Sequence, residues 1–196
     1  IRSCLVGSEM CIRDSSATNV LYVSKSGNDS NDGSTIGYAK ASIELSLSAA
    51  STGTTIFVKS GEYTLNNSAG GITVPSFVSL VGDNLRTTSI KGSNANNDLF
   101  YVNQGCYLTN FTFKDHANGA AAVSFPPGGA GNVQTSPYVE NCTSFTSAGG
   151  TVMKIDGSRA SGLKSMVSDS FTQINAGGNG IHLLNYYPKT FQYLMP

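Results

Sequence analysis

Chemistry in this 196-residue chain has to come from few side chains. The candidate acids and imidazoles are Asp115, Glu140, Asp156, Asp169, His116 and His182. Two carboxylates brought together can act as general acid and base on an acetal bond. A carboxylate cluster beside an Arg or Lys can instead hold calcium while the basic group takes a proton. The sequence contains no Asp-Asp pair and no local group of acids with an Arg. In Asp115-His116 an acid adjoins an imidazole, but neighbours on a strand point to opposite faces, so these two could cooperate only from a turn. The plainer expectation is a polar turn after Phe113. Lys154, Asp156 and Arg159 read as a solvated charged loop beyond a strand. Asp29-Ser30-Asn31-Asp32-Gly33 opens like a calcium loop but lacks the downstream bidentate Glu, and Asn, Asp and Gly suffice for tight turns. No catalytic, cofactor-binding or metal-ligating residue is therefore assigned, and no cofactor is expected. Tyr22, Tyr63, Tyr101, Tyr107 and Tyr138 could stack on sugar rings, though most lie in strand patterns and are expected to pack.

Composition narrows the partners. Charged residues are 12% of the chain and hydrophobic ones 39%, with no Trp. The segment Cys4 to Ser15 is similar to the conceptual translation of a transposon-based sequencing-library adapter, so residues 1–15 are set aside as foreign and the protein is read from Ser16. Removing Arg2, Arg13, Glu9 and Asp14 with it leaves ten basic against ten acidic residues. A neutral chain without a basic stripe gives no electrostatic case for nucleic acid or an anionic membrane surface. No apolar run approaches the roughly 18 residues of a membrane span. Cys106 and Cys142 remain, too few for a disulfide framework and better read as small buried residues. The sequons at Asn28, Asn66, Asn110 and Asn141 carry little weight.

The elements that would position these residues are short. Leu21 to Ser24 is a strand, followed by turns at Gly27-Asn28-Asp29 and Asn31-Asp32-Gly33. A helix is expected over Ala39 to Ala50, with Ile43, Leu45, Leu47 and Ala50 as its apolar face and Ser51-Thr52-Gly53 as its stop. Thereafter the pattern is all β: Thr55 to Val58, Phe77 to Val81, Ser89-Ile90, Leu99 to Val102 and Tyr107 to Phe113, separated by turn residues. The second half repeats. Tyr107 to Thr112 aligns with Tyr138 to Thr143 at an offset of 31, and more loosely with Met166 to Phe171 at a further 28. Each unit is followed by a Gly-rich turn and a further strand, at Ala121 to Val123, Val152 to Ile155 and Gly180 to Leu183. A period of this size marks a solenoid, and the β-branched, Gly-rich units make it a β solenoid. In Leu108-Thr109-Asn110-Phe111-Thr112-Phe113 the in–out alternation fails at Asn110. A left-handed bend there, which Asn tolerates, returns Phe111 and Phe113 to the core. Stacked coils would then set Asn110 on Asn141, with Asp169 continuing the row, and Leu108, Val139 and Val167 in one apolar column.

Phe57 to Tyr63, Val81 to Thr87, Asn97 to Val102, Gly105 to Leu108 and Phe111 to Phe113 together resemble the right-handed parallel β-helix structural proteins of marine tailed bacteriophages. Tyr22-Val23-Ser24 with the two following turns is similar to the opening of pectin-lyase-like β-helices, in which a short helix caps the core. The resemblance spans about Val20 to Asn185. It implies an all-β, right-handed single-stranded parallel β-helix with a short N-terminal capping helix. It also implies a tail-fibre or tailspike segment of the virion that supports recognition of host-surface glycans. Expected partners are host polysaccharide, other tail proteins and two further copies in a homotrimer. Members of that group run longer, so the chain is expected to end within the solenoid; Tyr186 to Pro196 lose the coil rhythm. The same fold leaves two alternatives open. One is a polysaccharide-degrading enzyme, lyase or hydrolase, and the other is a secreted bacterial carbohydrate-binding or adhesion protein.

Overall fold

A computed structural model describes residues 19–125, 137–145, 149–156, 167–174 and 181–184. Residues 1–15, Arg159 and the residues after Leu184 lie outside them. Fourteen strands, one α-helix and a 3-10 turn at Ile36–Tyr38 are described: β1 (Val20–Val23), α1 (Ile43–Ala49), β2 (Thr55–Val58), β3 (Gly61–Leu65), β4 (Ile72–Val74), β5 (Ser79–Gly82), β6 (Thr88–Gly92), β7 (Phe100–Val102), β8 (Tyr107–Thr109), β9 (Thr112–Lys114), β10 (Ala121–Phe125), β11 (Tyr138–Phe145), β12 (Thr151–Asp156), β13 (Val167–Ile174) and β14 (Ile181–Leu184). Their pairings are parallel. One sheet runs β1-β2-β5-β8-β11 and returns β11-β9-β6-β3, with β13 also on β11; the other runs β14-β12-β10-β7-β4. This is a parallel β-helix. Each coil contributes three strand positions, and β11 spans two of them, pairing with β8 through Tyr138–Glu140 and with β9 through Thr143–Phe145.

The alternation of side chains decides what each coil buries. Register stacks Leu21, Ile56, Leu80, Leu108 and Val139 in one column, and the last four are fully buried. A second column runs Val74, Val102, Phe125 and Ile155. The Phe125 position follows from the register that sets Val123 on Phe100. A third runs Tyr63, Ile90, Phe113 and then Ser144, where a hydroxyl replaces hydrocarbon. Each apolar side chain so enclosed contributes about 2 kcal/mol of transfer free energy. The two described thiols are also interior, and burial pushes Cys106 up to about 11 and Cys142 up to about 12, so neither ionises at neutral pH.

The N-terminal end of the core is closed twice. Ile43 and Leu47 of α1 are buried in the core cluster, and the helix packs on β1 to β4. It is shorter than Ala39 to Ala50 because Ala39 and Lys40 are held extended. Lys40 N–H donates to the Tyr22 carbonyl and Ser24 N–H to the Lys40 carbonyl. Leu45, expected on the apolar face, is exposed. Tyr22 N–H donates to the Gly33 carbonyl, so the loop from Gly33 to Lys40 also satisfies the open edge of β1.

The bend at Asn110 is as expected. Asn110 and Asn141 both take positive φ, 65° and 45°. Asn141 Nδ2 donates to Asn110 Oδ1, and Asn110 Nδ2 donates to the Gly82 carbonyl at 3.2 Å. The row starts at Gly82 because a Cβ there would lie 2.2 Å from the Asn110 carbonyl oxygen. Its continuation differs from expectation. Register sets Glu140 on Asp169 and Cys142 on Phe171, so Ser170, not Asp169, lies level with Asn141, and Ser168, not Val167, with Val139. Elsewhere β3 and β4 are strands the sequence did not announce. Phe77 is a left-handed turn residue (φ 59°) with an exposed ring rather than the start of β5. Asn110→Ala loses both the ladder bonds and the tolerance for positive φ, a cost of about 2–3 kcal/mol in denaturant unfolding. Asn110→Gly, which keeps the backbone conformation, costs about 1 kcal/mol. Equal losses for the two would refute the backbone part of this account.

Candidate functional site

Two places on the solenoid gather the residues that sequence singled out. The first is the corner after β9. Asp115 sits there with φ 60°, the turn that the pair Asp115-His116 required. The turn is not a solvated one throughout, because it carries His116 inward to complete burial. His116 Nε2 lies 3.2 Å from Ser144 Oγ, inside the coil. Nδ1 is buried with no partner of hydrogen-bonding geometry, although the carbonyls of Thr151 and Lys114 lie close enough to favour the charged ring. Burial outweighs them and Asp98 and Asp115, and it holds the imidazole below its ordinary 6.5. The His116 carbonyl in turn presses on the next coil, where a Cβ at Gly150 would meet it at 2.3 Å. Asp115 and His116 thus share a turn but not a face, and Ser144 is sealed from any substrate. This corner is structural.

Beside it, Lys154 stands on strand β12 rather than in a loop. Its ammonium reaches 3.1 Å to Asp98, two coils back, and the same Asp98 oxygen accepts the Ala121 N–H at 2.7 Å. Asp156 lies at the end of β12, and register sets His182 on Lys154.

The second place is the outer face of β5, β8 and β11. Register places Ser79, Tyr107 and Tyr138 in one column and Val81, Thr109 and Glu140 in the next. Tyr107 and Tyr138 stack with centroids 5.6 Å apart and planes at 19°. The Tyr107 hydroxyl donates to Glu140 Oε1. Partial burial and then that carboxylate push the phenol up to about 12, so it stays a donor across the physiological range. Parallel strands lie about 4.8 Å apart, so stacked rings present edges and hydroxyls outward rather than free faces. On β13, Asp169 continues the Glu140 position.

The remaining candidates are spoken for. Tyr63 is a core residue whose hydroxyl donates to the Lys59 carbonyl, and Tyr22 packs edge-on against Phe57. Tyr101 lies over Gly71, where a Cβ would come 3.0 Å from its ring. In the calcium-like loop Asp29 Oδ1 accepts the N–H groups of Ala41 and Ser42 ahead of α1, and Asp32 Oδ1 accepts Ser34. The Lys40 ammonium donates to the Asn31 carbonyl, so the loop carries its own cation. Asn28 and Asn66 accept from Ser30 and Ser68. Among the described residues no three His, Cys, Asp or Glu gather as metal ligands. The sequence did not reveal Asp98 or the Glu140–Tyr107 contact, since the partners are 56 and 33 residues apart.

No family model and no curated protein matches the chain. One solved structure does. A rhamnogalacturonan lyase is similar at a TM-score of 0.45 and 16% identity, over 84% of this chain and 50% of that one. The chain thus spans about half the length of that lyase, and the fold assignment rests on the strand pairing described above.

The buried imidazole has a consequence for stability. Its folded pKa lies below 6.5, so the unfolded chain takes up the proton more readily. Its contribution is complete above pH 6.5 and is lost as pH falls through the folded value. From this group the loss reaches about 1.4 kcal/mol per pH unit. In urea unfolding measured against pH, His116→Gln flattens that part of the decline; an unchanged pH profile refutes the assignment.

Proposed function

We propose that this parallel β-helix is a rod segment of a tailed-phage virion protein, of tail-fibre or tailspike type, that supports recognition of host-surface glycans. The observation carrying the reading is the outer face of β5, β8 and β11. There Ser79, Tyr107, Tyr138 and Glu140 form a partly exposed surface of hydroxyls and ring edges with one carboxylate, set coil on coil over a buried scaffold. Sugars are recognised by such groups, and tyrosine supplies contact area at low entropic cost. The phage resemblance of Phe57 to Phe113 supplies the setting, and from it follow the trimer, the tail-protein contacts and the virion location. Light scattering on a complete version of the protein is expected to give a trimer. A complete protein that remains monomeric at micromolar concentration argues against the fibre reading.

One observation favours a second reading, a polysaccharide-degrading enzyme. The pairing of β11 with β13 brings Asp169 level with Glu140, two acids that are 29 residues apart in sequence. Carboxylates on neighbouring strands are the raw material of glycoside cleavage. Release of soluble oligosaccharide from host polysaccharide, abolished by Glu140→Ala and by Asp169→Ala, would establish it. Intact polysaccharide after incubation with the complete protein would refute it for that substrate.

A further inference from the structure

Resting on the glycan reading, we propose that the face around Glu140 selects neutral, polyhydroxylated sugars and rejects uronic and other acidic ones. The argument is one of charge. Three other carboxylates of the solenoid wall, Glu62, Asp83 and Asp98, are each paired with lysine. Glu62 lies 2.7 Å from Lys91 and 3.2 Å from Lys114, Asp83 lies 2.8 Å from Lys59, and Asp98 lies 3.1 Å from Lys154. Glu140 is bound instead to a neutral phenol, and register sets a second acid, Asp169, beside it on the next strand. A carboxylate held at a strand surface and paired, among the described residues, with no lysine or arginine offers only acceptors. It suits the donor hydroxyls of a vicinal diol, and the Tyr107 oxygen, whose hydroxyl hydrogen already points to Glu140, retains lone pairs for a further hydroxyl. An acidic sugar brought to the same place meets like charge, which interfaces use to exclude wrong partners. The lysines that could receive a uronate on the neighbouring face, Lys91 and Lys114, are already shared by Glu62. The spacing between strands, about 4.8 Å, lets successive coils meet successive units of an extended chain.

The test is calorimetric titration of the full chain with neutral glucan, mannan and galactan oligosaccharides and with oligogalacturonate of equal length, repeated on Glu140→Gln and Tyr107→Phe. The expected result is at least one neutral series bound about tenfold or more tightly than the uronate, a difference of about 1.4 kcal/mol. Glu140→Gln is expected to bring the two affinities together, while Tyr107→Phe, which keeps the stacked ring, weakens neutral binding without admitting the uronate. Uronate bound as well as or better than every neutral series, or a ratio unmoved by Glu140→Gln, overturns the selectivity and leaves the glycan reading standing. Absence of binding to all of them overturns both for this face.

Discussion

Everything in this molecule depends on coil stacking in fixed parallel register. A parallel strand in a solenoid satisfies its backbone groups on the coils above and below, so no coil is stable alone and each fixes the alignment of the next. The same register that satisfies the backbone puts Leu80 over Ile56 and Leu108 over Leu80. A one-residue slip would turn every one of these side chains outward. The asparagines act on this constraint. Asn110 and Asn141 bend their coils at the same level because a left-handed residue has to sit on another, and their side-chain bond holds the alignment at the point where the strand alternation breaks.

Stacking also explains why polar groups are found inside. The column Tyr63–Ile90–Phe113 ends in Ser144, and His116 enters the core to meet it. A buried hydroxyl and a buried imidazole each cost more alone than as a pair. The pair thus ties the corner after β9 to β11, and Gly150 leaves the room that the His116 carbonyl needs. At the other end, α1 and the loop to Lys40 cover the core and the β1 edge, and Asp29 and Lys40 hold that loop with its own charges.

The sequence showed what repeats and hid what is local to one coil. Tyr107 to Thr112 and Tyr138 to Thr143 announce their pairing because both put a tyrosine, an aliphatic residue and a bend-tolerant Asn in the same places. The next coil was misread by one position. Met166-Val167 offers two apolar residues in succession, so either could stand against Tyr138, and a period of two cannot choose between them. The burial of His116 was hidden for another reason. Lys114-Asp115-His116 reads as a solvated turn, and only the positive φ of Asp115 sends the imidazole inward. Phe77 failed oppositely, since an apolar residue beside Val78 looked like strand although the chain turns there.

The outer face was legible as residue types but not as a site. Tyr107, Tyr138 and Glu140 were each visible, yet only the register makes two of them a stack and gives the third a phenol in place of a cation. A neutral overall charge therefore hides a local imbalance. Three described acids of the wall, Glu62, Asp83 and Asp98, meet lysines across coils. The exposed pairs of Glu62 add little stability, typically below about 1 kcal/mol each. Their larger effect is to offset the charge of these acids, whereas Glu140 on β11 meets a phenol and, among the described residues, no lysine or arginine. In a rod whose backbone geometry repeats from coil to coil, a carboxylate bound to a phenol distinguishes one stretch of surface from the next.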